Sequence, residues 1–188
     1  TFVTLREVID EVGGDALRFT MLTRKPDTPL DFDLAAVKRA EKDNPVYYVQ
    51  YAHARCCSLV RRAREMGIHA RRHGVDPDLL AAVATPADLA LLRAVMRFPS
   101  LLAEARAARE PHRVAGYLQE LAAAFHQHWT AGQDDPSARV IVEDDPETTR
   151  LRLALTHAVR ITLSRGLTLL GVTPVERMAR THETVSSD

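Results

Sequence analysis

Three of the chain's four tyrosines, Tyr47, Tyr48 and Tyr51, fall within five residues in the run Asn44 to Arg55, NPVYYVQYAHAR. If that run is helical, Tyr47, Tyr51 and Arg55 stand at i, i+4 and i+8 and align two rings and a guanidinium along one stripe. Such a stripe suits an unstacked nucleobase, because aromatic rings stack on any base and arginine adds a planar, charged contact, at roughly 1 to 3 kcal/mol per stacked base. The same spacing also describes a core seam in which each tyrosine buries its ring and wets only its hydroxyl. Charge is segregated around it. Between His53 and His73 six arginines (Arg55, Arg61, Arg62, Arg64, Arg71 and Arg72) face the single acid Glu65, and a second stretch from Arg150 to Arg180 holds six arginines against Glu176. These stretches are either solvated helix faces or a phosphate-binding surface, with Arg61 and Arg62 as candidate phosphate contacts.

Other chemistries find little support. Gly13-Gly14 belongs to neither a GxGxxG nor a GxxxxGKS/T sequence and follows no strand, so no nucleotide cofactor is expected. His126 and His128 resemble a metal pair, but two residues apart on a helix they point roughly 200° from each other and cannot chelate one ion from one face. Cys56 and Cys57 are the only cysteines, and their adjacency suits neither an ordinary disulfide nor a metal knuckle. Cys56 falls on the Val49, Ala52, Leu59, Val60, Ala63 side and reads as a core residue rather than a nucleophile. No catalytic residue and no metal site is expected in this chain.

The elements that must position the stripe read as helices. Hydrophobic residues make up 46% of the 188 and aromatics only 5%, while long Val/Ile/Thr alternations are missing. Thr4 and Glu7 form a capping box for a first helix ended by Gly13-Gly14, and Asp15 is placed to cap a second, through Phe19 and Leu22. Helical pattern resumes at Asp33, is interrupted at Asn44-Pro45, and continues from Val46 to about Met66, with Gly67 as its stop. Asp76-Pro77, Thr85-Pro86 and Phe98-Pro99 mark three further starts, and Pro111 opens a helix expected to reach about Ala131, before Gly132. An acidic loop follows from Asp134 to Glu147. A long last helix, Thr148 to Leu170, is apolar nearly all round and is expected inside the bundle, with Gly166 allowing close helix approach and Gly171 as its stop. The fold expected is therefore an all-α bundle of roughly six to nine helices, with Val49, Cys56, Leu59, Leu118, Leu121, Leu155, Val159 and Leu163 buried. No apolar run is long enough to cross a bilayer and no secretory leader is recognisable, so the reading is of a soluble, cytoplasmic protein in a reducing setting.

NPVYYVQYAHAR resembles the signature that opens the DALR-type helical anticodon-binding domain of class I arginyl-tRNA synthetases. Three more blocks agree in order: Phe2-Val3-Thr4-Leu5 with Asp15-Ala16-Leu17-Arg18-Phe19, then Tyr117 to Trp129 (YLQELAAAFHQHW), then Gly166 to Met178 (GLTLLGVTPVERM). The resemblance implies a connecting segment over 1–45, a helical anticodon-binding domain over 46–178 and a polar tail over 179–188. In that family FVTL follows the KMSKS-type catalytic loop, so the chain is expected to lack both that loop and the HIGH-type motif and to be inactive alone. The parent would ligate arginine to tRNA-Arg with ATP and Mg.

The resemblance also carries site residues. The family's pocket for the middle anticodon base falls on Tyr51, Arg55, Phe125 and Met178, with Tyr47 near its rim, all four expected to converge on one partly exposed pocket. Phe125 and Met178 would, on sequence alone, be core residues. All arginine codons share a central G, so every arginine tRNA carries a central anticodon C, and a pocket that accepts from the cytosine amino group would reject uracil. The implied partners are tRNA-Arg and the catalytic domain, with neither DNA nor membrane. The competing reading is a helical protein-interaction scaffold without RNA specificity.

Overall fold

Thr4 starts the first helix by a reciprocal cap: its hydroxyl accepts from Glu7 N at 3.3 Å while its own N–H donates to the Glu7 carboxylate at 2.7 Å. The computed structural model describes residues 4–25, 27–29, 34, 37, 44–70, 77–78 and 84–178. Within them run seven α-helices: α1 (Leu5–Val12), α2 (Gly14–Leu22), α3 (Pro45–Glu65), α4 (Pro86–Met96), α5 (Phe98–Ala108), α6 (His112–Asp134) and α7 (Pro146–Leu169), with one 3-10 turn at Pro136–Ala138. No strand occurs among the described residues, as expected of an all-α bundle. Nor is any helix there long and apolar enough to cross a membrane.

A side-chain cap and two glycine stops fix the central helices. Asn44 Oδ1 accepts from the N–H groups of Val46 and Tyr47, and its Nδ2 donates to the Val37 carbonyl at 2.7 Å, which ties the start of α3 to the chain before it. Gly67 (φ +74°) and Gly171 (φ +69°) end α3 and α7 in the left-handed conformation that favours glycine. Helix α3 packs on α2, α6 and α7, and α6 also meets α4, α5 and α7. Phe19, Val49, Cys56, Leu118, Leu121, Phe125, Val159, Leu163 and Leu167 are fully buried between them. Gly166 is a true close approach, since a Cβ there would lie 2.5 Å from the Leu118 Cδ2 atom.

A buried polar cluster joins three of these helices. Asp88, at the start of α4, meets His128 Nε2 of α6 at 2.6 Å and Arg152 Nε of α7 at 3.5 Å. Arg152 also donates to the carbonyls of Ser137 and Arg139, and so fastens the loop between α6 and α7. Burial alone would push the Asp88 carboxyl up, but hydrogen bonds from His128 and from the Thr85 N–H and hydroxyl outweigh it and bring it down to about 2.

Four local expectations change. Leu155 is half-exposed, because the buried stripe of α7 runs through Arg152, Thr156, Val159, Leu163 and Gly166 and leaves Leu155 on its flank. Apolarity alone discounted Arg152 and Thr156. Helix α6 does not stop before Gly132 but continues to Asp134; Gly132 is there because a Cβ would press 3.0 Å on the Arg139 Cα. Gly13 (φ +83°), not Asp15, stands at the N-cap of α2, and Asp15 instead accepts from Thr173 N at 2.9 Å. Finally, α3 and α7 each start at their proline, Pro45 and Pro146, slightly ahead of the expected Val46 and Thr148. The helical stretch read from Asp33, the one opened at Asp76-Pro77 and the tail 179–188 lie wholly or largely outside the described residues.

Candidate nucleic-acid interface

Because Asn44 and Pro45 set the start of α3, Tyr47, Tyr51 and Arg55 do share one stripe. The rings of Tyr47 and Tyr51 lie 6.0 Å apart and within 9° of parallel, and both residues are half-buried. Arg55, one turn on, donates Nη2 to the Tyr51 hydroxyl at 2.6 Å, with its guanidinium carbon 4.5 Å from the Tyr51 ring centroid. The same carbon is 4.7 Å from the Trp129 ring of α6. The guanidinium is thus held between rings of two helices, within the range where a cation is attracted to an aromatic face.

His126, one turn before Trp129, completes the cluster. Its ring stacks on Tyr51 at 5.6 Å and 23° and meets Tyr48 at 4.6 Å, tilted by 48°. His126 and His128 of α6 diverge as their spacing requires: His126 faces α3, and His128 faces Asp88 of α4. Among the described residues no group of three or more His, Cys, Asp or Glu side chains could hold a metal ion.

Phe125 is placed differently from the expectation. It is fully buried, with its ring 6.0 Å from that of His126, so it backs the cluster and offers no face to an incoming base. The helical turn explains this: Phe125 points to the core, His126 stands about 100° round the helix from it, and Trp129, one turn on, lies on the half-buried flank of the same face. Met178 is partly exposed at the end of an extended segment that Gln50 and His53 tie to α3, through the Thr173 carbonyl (2.9 Å) and the Val175 carbonyl (2.9 Å). Arg18 of α2 donates to the Gly171 carbonyl at the head of that segment. The structure therefore brings Tyr47, Tyr51 and Arg55 together, sets Phe125 beneath the cluster, and positions Met178 only through its segment. Sequence reasoning missed His126 and Trp129, although the chain's only tryptophan lay inside a block already singled out.

Arg62 lies seven residues beyond Arg55, about 20° from its stripe and roughly 10 Å along the helix axis, and is exposed. Arg61 is half-buried and donates to Ser58 Oγ at 3.4 Å. Burial pushes both neighbouring thiols up, Cys56 well above the usual range, so neither is an activated nucleophile.

Two concave spaces compare with this open cluster. A cavity of about 70 Å³ lined by Leu59, His128, Trp129, Gly132 and Arg139 has room for a few waters but not for a base. An open hollow of about 520 Å³ is lined by Arg97, Arg113, Tyr117 and Glu120, but its cations are paired, Arg97 with Glu120 at 3.1 Å and Arg113 with Glu110. Neither sets several rings along one stripe with an exposed arginine one step beyond them, as the Tyr47 to Arg62 face does.

The described residues form an all-helical bundle that presents an aromatic and cationic face on α3, and the comparisons place this architecture in a family. Residues 49–178 match the DALR anticodon binding domain, and the chain belongs to that family. It is 50% identical over 182 residues to an arginine–tRNA ligase of Xanthobacter autotrophicus and 49% identical over 178 residues to one of a Jannaschia species, in each case over 95% of this chain. The chain spans only 31% and 30% of the length of those two relatives. Among solved structures, Thermus thermophilus arginyl-tRNA synthetase superposes with a TM-score of 0.71 at 34% identity, covering 94% of this chain and 28% of that one.

Proposed function

We propose that this chain binds tRNA-Arg and reads its anticodon, with the central C as the base that the Tyr51 and Arg55 face selects, as part of a cytoplasmic arginine–tRNA ligase. Residues 46–178 form the reading domain, and residues 1–45 the segment that connects it to a catalytic body. ATP, Mg and arginine would be handled by parts of the protein outside these 188 residues, so no step of aminoacylation is assigned to residues here.

The observation that carries the reading is the Arg55 guanidinium held between the rings of Tyr51 and Trp129, with Tyr47 and His126 extending the stack. This is the arrangement a single unstacked pyrimidine needs: ring faces for affinity, and fixed polar groups at the edge for choice. Arg62, and Arg61 if it turns from Ser58, would take the phosphates on either side, adding affinity without choosing the base. The family's two more distant positions act less directly, Phe125 by backing the cluster and Met178 by lying at the end of the segment strapped to α3. The test is binding of tRNA-Arg against the same tRNA with its central C changed to U, at one salt concentration. A preference for C supports the reading. Binding of a protein partner with no response to either tRNA would favour an interaction scaffold instead.

A further inference from the structure

We propose that His126 is a specificity-determining positioning residue of this interface, acting as a neutral imidazole that carries its proton on Nε2 and fixes the orientation of Arg55. The inference rests on the anticodon-reading function proposed above and adds to it a residue outside the predicted site set.

The geometry limits what this ring can be. Its Nε2 lies 3.4 Å from the Tyr48 backbone carbonyl and its Nδ1 lies 3.5 Å from Arg55 Nη1, both longer than an ordinary hydrogen bond but facing those two groups. A carbonyl oxygen can only accept and a guanidinium can only donate. The imidazole must therefore donate through Nε2 and accept through Nδ1. Of its three protonation states only the neutral Nε2–H tautomer does both. The Nδ1–H tautomer sets two donors against each other at Arg55 and two acceptors at Tyr48. The doubly protonated ring sets a second cation against the guanidinium.

The consequence falls on Arg55. Its Nη2 donates to the Tyr51 hydroxyl at 2.6 Å and its Nη1 faces His126 Nδ1 at 3.5 Å, while its guanidinium carbon lies 4.5 Å and 4.7 Å from the ring centroids of Tyr51 and Trp129. A guanidinium held at both ends is oriented before any RNA arrives, so no ordering cost falls on the bound state and the group cannot swing to suit a different base edge. His126 itself is committed on both nitrogens and stacked on Tyr51. It acts on base choice through Arg55 and not as a phosphate contact. Loss of its acceptor should therefore weaken discrimination while leaving the salt-dependent part of binding in place.

Two measurements on the 188-residue chain test this. The first is a long-range proton–nitrogen NMR correlation of the imidazoles at pH 7.5, assigned by the signal missing from His126→Phe. A bare Nδ1 and protonated Nε2 are expected; the opposite tautomer or a doubly protonated ring overturns the proposal. The second is binding of the anticodon stem-loop of tRNA-Arg with central C or central U, at fixed salt, by the unaltered chain, His126→Phe and His126→Asn, each checked for native helicity and cooperative melting. His126→Phe keeps a stacking ring but no acceptor, and should lower the C over U preference about tenfold with an unchanged salt slope. His126→Asn restores a short-reach acceptor and should recover part of the preference. If His126→Phe does not fold, His126→Asn and the tautomer carry the test, and an Asn variant with less preference than the unaltered chain but the same salt slope is the expected result. A preference that survives intact in the folded variants overturns the role of His126 alone. Equal binding of both RNAs by the unaltered chain instead removes the anticodon reading, and this inference with it.

Discussion

Arg55 of α3 and Trp129 of α6 meet across the helix interface, the guanidinium carbon 4.7 Å from the indole centroid. Because Tyr51 holds the same guanidinium from its own helix at 4.5 Å, the packing of α3 on α6 and the shape of the candidate site are one structural fact. Any change that shifts the two helices relative to each other changes the site.

Trp129 is the chain's only tryptophan, so the site has a built-in reporter. Intrinsic fluorescence should change on addition of the tRNA-Arg anticodon stem-loop, saturably, and that change should be lost in Arg55→Ala if the cation is what holds the indole against the site. Tyr51→Ala should weaken binding of the central-C loop by roughly 1 to 3 kcal/mol, the scale of one stacked base. Its salt dependence should be nearly that of the unaltered chain.

Removal of a phosphate contact has the opposite signature. Arg62→Ala should weaken central-C and central-U RNAs alike and reduce the slope of log K against log salt by about 0.7 to 0.9, one counterion's worth. Titrations at four or more salt concentrations measure it. A changed C over U ratio with an unchanged slope would place Arg62 at the base instead.

The core makes its own prediction, and here the structure redirects the one drawn from sequence. Leu163 is fully buried and Leu155 only partly so, hence Leu163→Ala should cost about 2 to 5 kcal/mol and Leu155→Ala clearly less. Gly166→Val should cost about 1 to 3 kcal/mol, because even a Cβ meets Leu118 at 2.5 Å and Leu118 is itself fully enclosed. Urea unfolding of the three variants decides the order.

What the sequence could and could not reveal follows from the range of each signal. Caps and stops are local: Thr4 with Glu7, Asn44 before Pro45, Thr85 with Asp88, and Gly67 and Gly171 each act within one turn, so helix ends were legible to within a few residues. The Tyr47, Tyr51, Arg55 stripe was legible for the same reason. The partners of that stripe were not, because His126 and Trp129 arrive from another helix, and nothing local says which side of α6 faces α3. Leu155 failed differently. Periodicity assumes that buried means apolar, and α7 buries Arg152 against Asp88, which rotates the inner stripe away from Leu155. Asp15 looks like a cap in the sequence because its nearest donors are local, whereas its partner Thr173 lies far along the chain.

The Asp88 cluster predicts acid sensitivity. With its carboxyl held at about 2 in the folded chain, against about 3.9 when unfolded, ionised Asp88 contributes its full stability above roughly pH 4. That contribution is lost as pH falls through about 2. The difference corresponds to something on the order of 2 kcal/mol, and Asp88→Asn should remove that part of the pH dependence while lowering stability at neutral pH. Unfolding free energies measured from pH 6 down to pH 2.5 would show it as a shallower acid limb in the variant; identical limbs would mean that Asp88 is not the group responsible.

The central claim, that the Tyr51 and Arg55 face reads the middle anticodon base, is tested most directly by one comparison: the affinity of the folded 188-residue chain for tRNA-Arg and for the same tRNA with its central C changed to U, at a single salt concentration. Tighter binding of the C form is expected, with a preference that shrinks in Tyr51→Ala by roughly the 1 to 3 kcal/mol of one stacked base. Equal affinity for the two tRNAs, with the chain folded and the salt dependence intact, would leave only non-specific RNA binding and contradict it.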